Sequence, residues 1–159
     1  MKLIPWGHVK YWRCVRCGAC CQHTTVQLTP PEWLRLVKSY GFGIVEQNIS
    51  GFYLRKTLND QCPFLYPSVT GWSCKLQRIK PLACKLWPFR IRGDPTFGDG
   101  DAAYFKYRQH EFYVYAYPQC PGLVLGKPSR LLSSKILPEF LDIRMGLQKA
   151  QLYSTSKLP

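Results

Sequence analysis

Acidic residues are scarce in this chain: nine Asp and Glu stand against 22 Lys and Arg, a formal net charge of +13 with thiols counted as neutral. Such a surplus suits RNA, DNA or an acidic protein surface as a partner. Long hydrophobic runs are missing as well. No window approaches the roughly 18 uninterrupted apolar residues of a membrane span. Met1–Lys10 holds no apolar stretch of the kind a signal peptide requires, so a reducing, cytoplasmic setting is expected. Histidine is confined to His8, His23 and His110. No Ser, His and Asp combination and no Cys/His pair points to nucleophilic catalysis, and no glycine-rich phosphate loop follows a strand. Internal repeats, long linkers and low-complexity tracts are absent too.

What the chain has is cysteine. Eight occur in 159 residues, four of them in the run Cys14-Val15-Arg16-Cys17-Gly18-Ala19-Cys20-Cys21. A C-x2-C-x2-C-C spacing lets one tight loop aim several sulfurs at a common point, as a metal ion or cluster demands. The remaining four, Cys62, Cys74, Cys84 and Cys120, bring the total to what two four-sulfur sites need. Adjacent side chains diverge from the backbone, so Cys20 and Cys21 are expected to serve two centres or two atoms of one. A chain of this length buries roughly 70% of its unfolded surface and does not need disulfides merely to fold, and thiols in a reducing compartment are more often ligands than bridges. The three histidines are set aside as ligands, because eight thiols already satisfy two sites. With two such sites, each carrying about two negative charges, the net charge falls to roughly +9.

Cys62-Pro63 and Cys120-Pro121 repeat one device, since proline after a ligand fixes the backbone and the direction of the thiolate. In two-cluster ferredoxins a cysteine followed by proline ligates the second cluster, which tilts the metal reading from zinc towards iron-sulfur of the 4Fe-4S type. The cations Lys75, Arg78, Lys80, Lys85, Arg90 and Arg92 gather around Cys74 and Cys84 in sequence, where they lower the cost of holding several negative sulfurs together.

The elements expected are short. Met1–Arg13 reads as an extended basic and aromatic arm beside the cysteine loop, its rings a lid for the metal or a stacking surface for bases. Gln22–Leu28 reads as a strand. Thr29 to Glu32 opens a helix with a capping box, and Gly41 ends it. Phe52–Leu58 reads as a strand, Leu76–Ala83 as one or two helical turns, and Ala103–Tyr117 as a hairpin rich in aromatics. One short helix follows from Leu131 to Leu137, and a second runs from Pro138 to Leu152. The expected fold is α+β: a small, irregular, cysteine-rich metal-binding domain with short strands and peripheral helices. Residues 1–125 form the cysteine-cluster domain and 126–159 a helical extension packed on it.

With its cysteines placed, the chain resembles the YkgJ-type cysteine-cluster proteins, the zinc- or iron-chelating family named for the CxxCxxCC motif. The resemblance runs through Cys14-x2-Cys17-Gly18-x-Cys20-Cys21, Leu28-Thr29, Cys62-Pro63-Phe64-Leu65, the Cys74 to Pro81 to Cys84 spacing, Trp87-Pro88-Phe89 and Cys120-Pro121-Gly122, roughly from Arg13 to Gly122. The family's Arg before the proline and Arg after the next cysteine are Lys80 and Lys85 here, which keeps the charge and loses the planar fork. The resemblance implies metal binding by the eight cysteines, with a structural or electron-transfer role. One related group, the flagellin lysine methylases, carries the same pattern inside an enzyme. Tyr104, Tyr107, Tyr113 and Tyr115 are the residues that would line a methyl-transfer pocket, although core packing explains them better.

Overall fold

A computed structural model describes residues 2–22, 24–149 and 151–153. His23 lies outside the described residues. The chain opens with β1 (Ile4–Pro5) and β2 (Val9–Trp12), then α1 (Ala19–Gln22), β3 (Gln27–Leu28), α2 (Pro30–Tyr40), β4 (Val45–Asn48) and β5 (Gly51–Leu54). It continues with β6 (Leu65–Ser68), β7 (Gly71–Cys74), α3 (Leu82–Leu86) and β8 (Phe89–Arg92), and closes with α4 (Gly100–Ala103), β9 (Tyr104–Tyr107), β10 (His110–Ala116), β11 (Leu123–Leu125) and α5 (Leu137–Arg144). Short strands in several small sheets beside short helices make the fold α+β. Two compact units share these elements: Met1–Val15 with Leu86–Pro159, and Arg16–Lys85.

In the first unit β10 pairs antiparallel with β1, β8 and β9, and β2 pairs with β11. The β9–β10 hairpin falls where its alternating aromatics place it. Its tyrosines are structural. Tyr115 is fully buried and donates to the Gly98 carbonyl (3.0 Å), Tyr107 donates to Asp142 (3.1 Å) and Tyr104 to Glu111 (2.8 Å). The N-terminal arm is extended apart from one 3-10 turn at Trp6–His8, and its tryptophans pack into the first unit's core. Trp12 is 3% exposed, packed edge-on to Phe89 and Phe140, and Trp6 packs on Phe105 while its Nε1–H donates to the Tyr104 carbonyl. A hydrophobic strand residue packs into a core before it is left to cover a loop.

The C-terminal helices also differ from expectation. A helical path runs over 130–144 without a break, its middle Leu132–Ile136 widened into π turns ahead of Pro138. Proline has no N–H to donate back into the previous turn and its ring crowds the carbonyl there, and the wide turns relieve both. The helix stops at Arg144, well short of Leu152, because Gly146 takes positive φ and the N–H groups of Met145, Gly146 and Leu147 turn back onto its last carbonyls.

In the second unit β3, β5 and β4 form one antiparallel sheet, β6 and β7 a separate hairpin, and α2 covers a core of Val26, Leu28, Leu36, Val45, Leu54 and Phe64. Helix α2 begins and ends where its capping residues dictate. The Thr29 N–H donates to Glu32 Oε2 (2.9 Å), and Gly41 leaves the helix with φ +82°. Gln22–Leu28, expected as a strand, is one only at β3. The cysteine loop instead closes into the helical turn α1, since the Cys21 N–H finds the Gly18 carbonyl at 2.8 Å.

Candidate metal centre

The cysteine loop is shaped by two residues at positive φ, Arg16 (+53°) and Gly18 (+75°). A side chain at Gly18 would be strained in that conformation and crowded, because a Cβ there would sit 3.1 Å from Trp72 Cγ. Trp72 belongs to the β6–β7 hairpin, and its N–H donates to the Arg16 carbonyl at 2.9 Å. Gly71, at φ +117°, lets that strand approach, as a Cβ there would meet the Arg16 carbonyl at 3.0 Å. The hairpin therefore presses on the loop from one side and delivers Cys74 at its last residue. The Cys62 segment is tied in by a bond from the Cys62 N–H to the Cys21 carbonyl (2.9 Å). Glu32 completes the frame. Its Oε1 accepts from the Leu82 N–H at 2.7 Å, which links the start of α2 to the start of α3, where Cys84 resides.

All eight cysteines are free thiols. The structure brings Cys20, Cys21 and Cys62 together. The Cys20 and Cys21 sulfurs lie 3.8 Å apart, and Cys62 is near enough to be coupled electrostatically to both. The doublet thus converges instead of diverging. Cys74 and Cys84 lie within electrostatic reach of Cys20 and Cys62, and Cys17 sits half-buried in the same loop. Cys14 and Cys120 belong to the first unit. They flank the bond from the Arg13 N–H to the Gly122 carbonyl (3.1 Å), and Cys120 is buried and accepts a hydrogen bond from Trp12 Nε1 (3.3 Å). Among the described residues, no three Cys, His, Asp or Glu side chains stand close enough together to hold a metal ion as they are placed.

Electrostatics separate the thiols. The Cys21 hydrogen bond lowers the Cys20 pKa to about 7, against the cost of burial and with help from the Lys80 ammonium. Cys62 falls to about 7 for the same first reason. Cys21 itself moves strongly up, because its proton is held between Cys20 and Cys62. Burial raises Cys74 and Cys84, and Lys80 opposes both shifts. Among the cations clustered in this stretch of sequence, Lys80 bears on three of the thiols, Cys20, Cys74 and Cys84. His8 is committed elsewhere, to Asp99 at 3.1 Å.

The donor set fits zinc or iron. Thiolates are soft ligands that both metals accept. Around a tetrahedral zinc with bonds of about 2.3 Å, two sulfurs are about 3.8 Å apart, and the Cys20–Cys21 separation equals that edge. A family model described as "CxxCxxCC: Putative zinc- or iron-chelating domain" matches residues 13–121. The chain belongs to the CxxCxxCC family. The matched span encloses all eight cysteines and leaves the C-terminal helical path outside. No match was found among curated proteins or among solved structures. No helix among the described residues is long and apolar enough to cross a membrane.

Proposed function

We propose that this CxxCxxCC protein holds zinc or iron in a thiolate centre within residues 16–85, nucleated by Cys20, Cys21 and Cys62 and completed from Cys74, Cys84 and Cys17. The observation that carries this reading is the 3.8 Å separation of the Cys20 and Cys21 sulfurs, suited to a shared ion, with the remote Cys62 segment tied to the same turn by its N–H bond to the Cys21 carbonyl. In a four-iron cube each thiolate caps a different iron, so the same spacing supports one shared ion over the 4Fe-4S cluster that the Cys-Pro pattern favours. A site closed by four sulfurs has no open position for substrate, and its role is to hold the fold. Lys80 supplies a positive charge beside the sulfurs, which eases the crowding of thiolates.

One observation favours a second reading. Six thiols in one unit exceed the four that a single tetrahedral ion uses. A cluster drawing on more of them, with an electron-transfer role tuned by Lys80 and burial, follows from that excess. Cys14 and Cys120 are then a separate pair of donors at the edge of the first unit's core. Replacement of single cysteines tests the assignment. Cys21→Ser and Cys62→Ser are expected to purify with most of the metal gone, while an exposed control such as Ser50→Ala keeps it. Full metal content in both cysteine variants contradicts the proposal.

A further inference from the structure

The first unit contains a cavity of about 600 Å³ that the metal centre does not use. Three elements enclose it: Ile91 and Arg92 at the end of β8, His110 and Phe112 at the start of β10, and Arg144 and Met145 where α5 ends. The register explains why space is left there. The last β8 residue paired to β10 is Arg92, opposite Tyr113, so β10 runs on from Tyr113 towards His110 with no strand on that flank.

Chemically the cavity is divided. Ile91, Phe112 and Met145 provide apolar wall, while Arg92, Arg144 and His110 provide cationic or proton-bearing groups, and no Asp or Glu is among the lining residues. Two acids on the neighbouring elements are engaged by other groups. Asp142 accepts from Tyr107 and Arg108, and Glu111 accepts from Tyr104. Arg92 has only a loose contact with Asp94, at 3.8 Å from one terminal nitrogen, and its Nε–H is buried with no hydrogen-bond partner among the described residues. The exposed terminal nitrogens of the Arg92 guanidinium are the groups that can hold an incoming carboxylate through charge-assisted bonds. The carbonyls that end α5 do not oppose an anion strongly, because the N–H groups of residues 145–148 already cap them.

We propose that this cavity binds a small carboxylate carried on an apolar body, with the anion held between Arg92 and Arg144 and the apolar part against Ile91, Phe112 and Met145. Its size is within the range of small-molecule sites, and a few convergent polar groups in an apolar wall are what such sites present. Octanoate, 1-octanol and acetate titrated calorimetrically into the full-length, metal-loaded protein test it. Octanoate is expected to saturate one site, and the alcohol and acetate to bind at least roughly tenfold more weakly, since each lacks one half of the recognised chemistry. Arg92→Gln and Arg144→Gln are each expected to weaken octanoate roughly tenfold with metal content and circular dichroism unchanged. Arg144 is exposed, so its replacement leaves the fold intact should Arg92→Gln fail to fold. Absence of saturable octanoate binding, equal affinity for the alcohol, or wild-type affinity in a folded Arg144→Gln protein would each overturn the proposal.

Discussion

In the metal-free loop the Cys21 thiol faces the Cys20 sulfur at 3.8 Å, and the two titrate together with Cys62. Cys20 and Cys62 ionise at about 7 in the folded chain against an ordinary 9.0. A depressed folded pKa contributes stability that is complete above the unfolded value and is lost as pH falls through the folded one. Cys21, Cys74 and Cys84 shift the other way, so their contribution is present below 9.0 and lost at higher pH. The metal-free, reduced protein is therefore expected to gain stability from about pH 7 to 9.0 and to lose it beyond, as followed by denaturant titration across pH. A flat profile, or one unchanged in Cys21→Ser, counts against this coupling. Gly18 is the other decisive residue. Gly18→Ala meets both a left-handed backbone and the Trp72 ring at 3.1 Å, and is expected to cost about 1–2 kcal/mol in urea unfolding. Wild-type stability in that variant would mean that the Trp72 hairpin does not press on the loop.

Helices α2 and α3 act through one carboxylate. Glu32 caps its own helix at Thr29 and also accepts from Leu82, so it positions the turn that carries Cys84. Glu32→Ala is expected to lose about 1–3 kcal/mol by orphaning two N–H groups, and also to retain metal less well in a chelator competition. Glu32→Gln, which keeps an acceptor and a similar length, should recover most of the retention. Equal loss in both variants would assign Glu32 a role through charge alone. The cap was legible in the sequence because Thr29, Pro30 and Glu32 are neighbours, and so was the β9–β10 hairpin, whose alternation is local. Partners remote in sequence were not legible: Leu82 on Glu32, Trp72 on Gly18 and β3 beside β5 all depend on tertiary packing. The overlong C-terminal helix failed for a related reason. The helix expected from Pro138 to Leu152 runs straight through Gly146, whose positive φ ends it.

For the whole molecule, the cysteine spacing identified the family and the class of ligand, because eight thiols at ordered intervals leave few other readings. How the thiols are shared between units was not legible. Six fall within residues 16–85 and two beside the first unit's core, and nothing in spacing alone says so. Two thiols, Cys120 and Cys14, lie in or against the first unit's core, whereas four, Cys62, Cys21, Cys74 and Cys84, lie in or against the second unit's. Chelation is therefore expected to raise amide hydrogen exchange across residues 16–85 far more than across β8, β10 and α5. A uniform increase along the chain would show that the metal supports both units alike.

The most direct test of the central claim is a count of zinc, iron and acid-labile sulfide per chain after anaerobic purification. A shared thiolate ion predicts zinc or iron bound in about one equivalent for each four thiolates engaged, with no stoichiometric sulfide. Iron accompanied by equal sulfide would instead mean a cluster and contradict the single-ion centre at Cys20, Cys21 and Cys62.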